Sequence, residues 1–185
     1  MSTFRFAIMG AGNIAHQFCD AVTLVKDCEV SAIASKDLGR AQKFAEECSV
    51  AHAYDNYEQM LIEEKPDCVY IAVTPNDHFR LTMLCLEHRV PVLCEKAMFT
   101  NSAEAKAVFE KAEKDQTFVM EAMWSRFLPA VNQAKKWAAE GKIGRLEALQ
   151  GRIGFLAPEG ADNRYHSPLL CGGAATDITV YAYEI

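Results

Sequence analysis

Residues 4–15 read FRFAIMGAGNIA, an apolar run that breaks into a glycine turn and then into a helical pattern. The turn has the spacing G-x-G-x-x-A, with Gly10 and Gly12 followed by Ala15. In a dinucleotide-binding βαβ unit the first glycine permits a tight turn, and the second lets the backbone approach a pyrophosphate. The helix that follows presents the N–H groups of Asn13 and Ile14 to the phosphates. The stretch predicts a dinucleotide-binding unit, and a purely structural turn is the alternative.

Short apolar segments alternate with amphipathic segments over the next hundred residues. The pattern predicts strands at 30–34, 67–73, 91–94 and 117–120, and helices at 38–47, 56–63, 77–87 and 102–114. Such alternation is typical of a parallel sheet that is covered on both faces. Residues 1–121 are therefore predicted to form an α/β domain with a Rossmann-type doubly wound parallel sheet.

The pattern changes after residue 121. A helix is predicted at 128–140, a turn at 141–144, a long strand at 146–155, a loop at 157–168, and a helix from 172 to 185. A long strand needs partners before it can be stable. Residues 122–185 are therefore predicted to begin a second α+β domain with a mostly antiparallel open sheet, of which this chain holds an incomplete part. Its apolar surface would need a partner.

Composition and charge exclude several classes of partner. The chain has 185 residues and a net charge of −6, and its scattered basic residues form no patch for nucleic acid. No apolar stretch approaches the roughly 18 residues of a membrane span, so a cytoplasmic location is expected. The seven cysteines form no C-x-x-C pair, which favours free thiols in a reducing compartment and no metal site.

The end of the second strand bears on cofactor choice. An NAD enzyme usually places a carboxylate about 20 residues after the glycines to bind the ribose. Here Ser35 and Lys36 follow the strand, and Arg40 lies one turn into the next helix. These three residues can hold a 2′-phosphate, which favours NADP over NAD, although solvated charges are the alternative. Asp37 is most simply a helix N-cap.

Four further segments carry a resemblance to a known family. Residues 72–78 (AVTPNDH), residues 94–97 (CEKA), and the segment from Gly172-Gly173 to Tyr181 resemble the Gfo/Idh/MocA oxidoreductases. Residues 120–127 (MEAMWSRF) resemble the dimeric dihydrodiol dehydrogenase-like branch. The resemblance runs through the whole chain in unbroken order, but members of this family continue through a complete second domain.

The resemblance implies a set of cofactor contacts. The loop after the predicted strand at 67–73 would lie beside the ribose and nicotinamide, and it contributes Thr74, Pro75, Asn76 and His78. Glu95 and Lys96 correspond to a Glu-Lys-Pro motif, whose lysine projects at the nicotinamide. Trp124 and Arg126 correspond to a pair near the cofactor at the domain junction.

The resemblance also implies that Asp177 and Tyr181 face the substrate. Their spacing of four places both on one side of a helix, and Lys96 follows a strand at the edge where open α/β sheets bind ligands. Hydride transfer at a carbon bearing oxygen needs one group to move the hydroxyl proton and another to stabilise the alkoxide. We assign these roles to Tyr181 and Lys96, with Asp177 positioning the substrate hydroxyl or the lysine; the roles of Lys96 and Tyr181 can be exchanged.

Two positions depart from the family pattern. Ala97 replaces the motif proline, and a cis bond before a non-proline residue costs about 3 kcal/mol, so the direction of Lys96 stays open. Thr179 stands where relatives commonly have glycine, and its branched side chain can crowd the substrate or nicotinamide.

These observations predict an NADP-preferring, metal-free dehydrogenase or reductase acting on a sugar, dihydrodiol or polyol. The expected partners are a small-molecule substrate and, once the second domain is complete, further copies of the chain in a homodimer or higher homo-oligomer. The alternative is a non-catalytic nucleotide-binding protein, either a redox-sensing regulator or a truncated inactive fragment.

Overall fold

Six short strands form one parallel sheet in the first of two compact units, Met1–Glu121 and Ala122–Ile185. The structure is a computed structural model, and it describes residues 3–160 and 163–184. The strands are β1 (Phe4–Met9), β2 (Cys28–Ala34), β3 (His52–Tyr54), β4 (Cys68–Ile71), β5 (Val92–Cys94) and β6 (Val119–Glu121). Their order is β3-β2-β1-β4-β5-β6. This order confirms the predicted Rossmann-type doubly wound fold.

Helices connect the strands of the first unit. They are α1 (Asn13–Thr23), α2 (Leu38–Cys48), α3 (Tyr57–Glu64), α4 (His78–Glu87) and α5 (Ser102–Asp115). A 3-10 turn, Pro75–Asp77, precedes α4. Side chains of Asp37, Asn56 and Asn101 cap α2, α3 and α5 by accepting a backbone N–H of the first turn. These caps show why the helices begin where they do.

Alternating residues of the central strands fill two layers of core. Met9 of β1 and Ile71 of β4 pack with Leu81 of α4 and Met60 of α3. On the other face, Phe18 of α1 stacks on the ring of Tyr70, with 4.0 Å between the centroids. Because both faces are covered, the sheet presents its strand ends, and not a face, to a ligand.

The strand β3 was not predicted from the sequence. It has three residues, His52–Tyr54, and pairs in parallel with β2 through Ala32, Ile33 and Ala34. A segment this short carries too few alternating positions for a period to be recognised. The other predicted elements of this unit differ from the observed ones only near their ends.

The second unit contains helices and irregular chain. Its elements are the 3-10 turn Trp124–Phe127, α6 (Pro129–Ala139), the 3-10 turn Pro168–Leu170, α7 (Ala174–Asp177) and α8 (Thr179–Glu184). The predicted strand at 146–155 is wrong, because these residues are irregular and no strand occurs among the described residues after Glu121. Leu149 and Phe155 are 60 % and 52 % exposed. Without a neighbouring strand the backbone has no ladder to join.

The predicted C-terminal helix is also different from the observed one. It is divided at Ile178, which separates α7 from α8. Parts of two predictions, Ala161 and Asp162 in the loop and Ile185 at the end of the helix, lie outside the described residues. None of the helices in residues 3–160 and 163–184 combines the length and the apolar character needed to cross a bilayer.

Candidate cofactor and catalytic site

The carboxyl edge of the sheet brings most of the predicted site residues of the first unit together. Backbone hydrogen bonds continue past the strands and join neighbouring loops: Gly10 N–H to Ala34 O (2.8 Å), Ala72 N–H to Met9 O (2.8 Å) and Glu95 N–H to Ile71 O (2.9 Å). The strand order reverses between β1 and β4. Loops diverge at such a switch point and leave a crevice, which is where open α/β sheets bind their ligands.

The two glycines of the first loop have different surroundings. Gly10 has a φ of +109°, and a Cβ there would lie 2.7 Å from Ala72 O, so the fold itself requires glycine. Gly12 has a φ of −107°, and the nearest atom to a Cβ would be Ala72 O at 4.0 Å. A Cβ at Gly12 would therefore make only an ordinary van der Waals contact, so the fold does not require glycine there. Gly12 lies at the start of α1 and supplies no capping side chain to the first-turn N–H groups, and such a helix start is suited to binding an anion.

The predicted ribose contacts lie on the loop after β2 and in the first turn of α2. Ser35 is buried, and its Oγ accepts the N–H of Asp37 at 3.4 Å. Asp37 in turn accepts the N–H of Arg40 at 2.8 Å, which confirms that it is the N-cap of α2. The guanidinium of Arg40 donates to Ala11 O at 3.2 Å. Arg40 therefore reaches the glycine loop.

Lys36 forms an ion pair with a carboxylate from another loop. Its Nζ lies 2.7 Å from Oδ2 of Asp77, which also accepts two bonds from Arg80 at 2.8 and 3.2 Å. The Asp77 side chain is 13 % exposed, whereas that of Lys36 is 69 % exposed. Hydrogen bonds from Arg80, and then from Lys36, lower the pKa of Asp77 to about 2. The carboxylate is therefore ionised at neutral pH.

His78 connects the loops after β4 and β5. Its Nε2 lies 3.0 Å from Val73 O, and its Nδ1 lies 3.1 Å from both Ala97 O and Met98 O. The residue is completely buried. Burial lowers the pKa of His78, although the three carbonyl groups oppose this effect. The structure thus places His78 beneath the loops, whereas Thr74 and Asn76 of the same loop are partly or fully exposed.

Glu95 and Lys96 follow β5 directly. Glu95 is buried, and one of its carboxylate oxygens accepts the hydroxyl of Tyr70 at 2.5 Å. The other accepts the N–H of Lys96 at 3.2 Å. Burial raises the pKa of Glu95, and the bond from Tyr70 opposes that shift. The Lys96–Ala97 peptide bond is cis, although the residue after it is not proline.

Trp124 and Tyr181 contact one another within the second unit. The indole Nε1–H of Trp124 donates to the hydroxyl oxygen of Tyr181 at 2.9 Å. Their rings meet edge to face with 5.6 Å between the centroids. Tyr181 is 9 % exposed. Its hydroxyl oxygen accepts this bond, which fixes the position of the oxygen relative to the Trp124 ring.

The other two predicted residues of the second unit form ion pairs. Asp177 is buried, and its Oδ1 lies 3.7 Å from a guanidinium nitrogen of Arg164. Arg126 Nε lies 2.6 Å from a carboxylate oxygen of Glu184. Asp177 ends α7, whereas Tyr181 belongs to α8, so the prediction of one continuous helix through both residues is wrong. The break at Ile178 reflects the Thr179 hydroxyl, which donates to Ala174 O at 2.9 Å and competes with the helical ladder.

A cavity of about 590 Å³ lies at the opposite, amino edge of the sheet. Its lining includes Arg5 at the start of β1, Cys28 at the start of β2, and His52 in β3. It contains none of the predicted site residues. All seven cysteines are free thiols, and the described residues contain no group of three or more side chains suited to a metal ion.

Sequence reasoning missed three side chains that organise the carboxyl edge. They are Asp77, which holds Lys36, Tyr70, which donates to Glu95, and Glu121, whose carboxylate accepts Met98 N–H at 2.8 Å. Each partner is distant in the chain, so no local spacing signals these contacts.

The sheet order and the glycine loop at its switch point define a Rossmann-type dinucleotide-binding domain. A family model described as an oxidoreductase family with an NAD-binding Rossmann fold matches residues 4–123. The chain belongs to this family, the Gfo/Idh/MocA oxidoreductases.

Individual relatives agree with this assignment. Trans-1,2-dihydrobenzene-1,2-diol dehydrogenase from Mus musculus is 33 % identical over 97 % of this chain and 54 % of the relative. A solved NAD-binding protein from Listeria innocua has a TM-score of 0.86 at 22 % identity, covering 98 % of this chain and 53 % of that one. A 3-ketoreductase from Actinomadura kijaniata, solved with NADP, has a TM-score of 0.71 at 26 % identity, covering 77 % and 46 %. The chain spans about half the length of the curated relatives it matches.

Proposed function

We propose that this chain is the cofactor-binding part of an oxidoreductase that transfers a hydride between a nicotinamide cofactor and a sugar, dihydrodiol or polyol carbon. The observation that carries the proposal is the shared edge of the sheet. Gly12, which is proposed to lie against the pyrophosphate, and the loop that bears Lys96 both lie at the carboxyl ends of the strands. The names of the dihydrodiol dehydrogenase and 3-ketoreductase relatives support the substrate class.

NADP is the proposed preferred cofactor, and NAD is the alternative. The support is the charge after β2, where Lys36 and Arg40 provide two cations that follow Ser35 in the sequence. Asp37, the nearest carboxylate in sequence, is engaged as a helix cap. A carboxylate that binds the ribose 2′-hydroxyl would repel a 2′-phosphate. The cofactor contacts proposed for the other loops are Gly10, Gly12, Asn13, Ile14, Thr74, Pro75, Asn76, Glu95, Trp124 and Arg126.

In the proposed chemistry, the cofactor transfers a hydride and a protein side chain transfers a proton. A bound nicotinamide supplies or accepts the hydride. Tyr181 donates or accepts the substrate hydroxyl proton, and Trp124 supports this role because its N–H fixes the tyrosine oxygen. Lys96 stabilises the alkoxide that develops on the substrate oxygen. Asp177 positions the substrate hydroxyl or the lysine.

His78 and Glu95 have supporting roles in this proposal. His78 is fully buried, and we assign it to holding the loops that carry Asn76 and Lys96 rather than to a direct cofactor contact. Glu95 accepts the Lys96 N–H, which fixes the backbone from which the lysine side chain extends. A rigid supporting shell of this kind holds catalytic groups in their productive geometry.

The remaining parts of the proposal concern the whole protein. Residues 122–185 would begin the substrate and oligomerisation domain, and the large exposed apolar side chains there, such as Leu149 and Phe155, support burial against further chain or another copy. A homodimer or higher homo-oligomer is proposed on this basis. Free thiols at all seven cysteines support a cytoplasmic location.

Cofactor titration followed by turnover of the full-length protein tests the function. We expect NADPH and NADH to bind, with NADPH tighter, and trans-1,2-dihydrobenzene-1,2-diol or a sugar to be oxidised. Lys96→Ala and Tyr181→Phe should lower kcat by at least about 100-fold while leaving the dissociation constant for NADPH within threefold. Tyr183→Phe is the matched control, because Tyr183 is 88 % exposed. Normal turnover in both site variants would refute the catalytic assignment, and cofactor binding without turnover of any diol or sugar would favour the non-catalytic nucleotide-binding alternative.

A further inference from the structure

A single carboxylate, Asp77, joins the loop after β2 to the loop after β4. It lies between two cations, Lys36 at 2.7 Å and Arg80 at 2.8 Å. The two loops come from strands that are not neighbours in the sheet, since β1 lies between β2 and β4. The contact therefore crosses the switch point, directly above the end of β1.

Lys36 is the cation at the position where enzymes of this fold recognise the cofactor ribose. It follows β2 by two residues and lies 24 positions after Gly12, where enzymes of this fold place the group that distinguishes the two ribose substituents. Arg40, the cation in the first turn of α2, donates to the backbone of Ala11. Lys36, in contrast, is held by Asp77, a negatively charged competitor for the same ammonium group.

We propose that Asp77 is a specificity-determining residue that weakens discrimination between NADP and NAD by competing with the ribose 2′-phosphate for Lys36. The inference rests on the proposed dinucleotide function. Asp77 already pairs with the ammonium group of Lys36. This group has three N–H donors, so Lys36 can bind a phosphate oxygen either while it remains paired with Asp77 or after it has left Asp77. In either case the carboxylate also repels the phosphate. NAD lacks this phosphate and is not affected in the same way.

The size of the effect follows from the exposure of the pair. Lys36 is 69 % exposed, and exposed ion pairs contribute roughly 0.2–1 kcal/mol. Removal of the competing charge is therefore expected to increase the ratio of NADPH affinity to NADH affinity by up to about fivefold. The ratio isolates the 2′-phosphate, because every other part of the two cofactors is shared.

A double-mutant cycle tests the proposal. Dissociation constants for NADPH and NADH are measured by nicotinamide fluorescence for the wild type, Asp77→Asn, Lys36→Gln and the double variant. The expected ratio of NADPH affinity to NADH affinity rises in Asp77→Asn, by up to about fivefold, and does not change when the same substitution is made in the Lys36→Gln background. Arg80→Gln is the matched control, because it removes the other partner of Asp77 and leaves the Lys36 pair; its ratio should not rise above that of the wild type.

Two results would overturn the proposal. An unchanged ratio in Asp77→Asn means that the carboxylate does not compete, and an equal rise in the Lys36→Gln background means that its charge acts without the lysine. Asp77→Ser, measured in parallel, guards against a folding defect specific to the asparagine variant. Failure of the wild type to bind either cofactor would instead refute the proposed function, whereas binding of both with an invariant ratio refutes only the role of Asp77.

Discussion

Substitutions at the two glycines of the first loop test the fold and cofactor binding separately. In Gly10→Ala, the new Cβ would lie 2.7 Å from Ala72 O and 2.9 Å from Val73 Cγ1 at a φ of +109°. A strained backbone costs about 1–3 kcal/mol, and an overpacked contact adds about 1–3 kcal/mol. We expect Gly10→Ala to lose about 3–5 kcal/mol of unfolding free energy, which lowers Tm by about 10 °C for a chain of this size.

Gly12→Ala is the matched comparison. Its Cβ would meet no protein atom closer than 4.0 Å, and its φ is negative. The loss of a glycine N-cap and the lower entropy of the unfolded chain nearly cancel, so stability should change by less than about 1 kcal/mol. The added methyl group nevertheless occupies the space proposed for the pyrophosphate. NADPH affinity should therefore fall at least tenfold while Tm stays nearly constant.

Thermal unfolding gives the Tm of the two variants, and NADPH titration gives their cofactor affinity. A wild-type Tm for Gly10→Ala would mean that the loop does not follow the described course beside Ala72. Wild-type NADPH affinity in Gly12→Ala would show that no cofactor approaches that backbone, which refutes the reasoning about the loop even if the protein binds NADPH.

Three further outcomes are expected. Because the pKa of Asp77 is lowered from 3.8 to about 2, its contribution to the free energy of unfolding is present above pH 4 and is lost as the pH falls towards 2. After allowance for solvent screening, Asp77→Asn should lower the free energy of unfolding by about 1 kcal/mol at pH 7. Denaturant unfolding of this variant should then depend less on pH between 2 and 4 than unfolding of the wild type. His78→Leu leaves buried carbonyl groups without a donor and should cost about 2–4 kcal/mol in urea unfolding, whereas a loss below 0.5 kcal/mol would contradict its bridging role. Trp124→Phe removes the N–H that donates a hydrogen bond to the Tyr181 hydroxyl. It should reduce kcat of the full-length protein by about three- to tenfold with little change in KM. An unaltered kcat would show that Trp124 has no part in the proposed mechanism.

The parallel sheet could be predicted because its signals are local. The apolar run from Phe4 to Met9 and the glycine spacing specify a strand and a turn within 12 residues. Asp37 was recognised as an N-cap for the same reason, since the capping bond reaches only to Arg40. The parallel arrangement of the five predicted strands then follows from the helices that connect them, whereas β3 and the strand order come from the structure.

The contacts that were missed join distant parts of the chain. The Lys36–Asp77 pair spans 41 positions, and no periodicity distinguishes that aspartate from any other residue at a helix start. The burial of His78 is equally invisible, because it depends on carbonyl groups supplied by the loop after β5. The strand predicted at 146–155 is an error of the other kind, an element that was predicted but not observed. Its apolar residues suggested a strand, but strand formation also needs a neighbouring strand.

The backbone bonds that connect the strand ends have a consequence for how such a domain can change over evolutionary time. Gly10, Ala72 and Glu95 are fixed to the strands by main-chain N–H groups, which every residue except proline possesses. Side chains at positions 35, 36, 40 and 77 can therefore be exchanged while the loops keep their course. The domain thus separates a frame held by main-chain bonds from the side chains that are proposed to recognise the cofactor, so point substitutions at these positions can change coenzyme preference without redesigning the sheet.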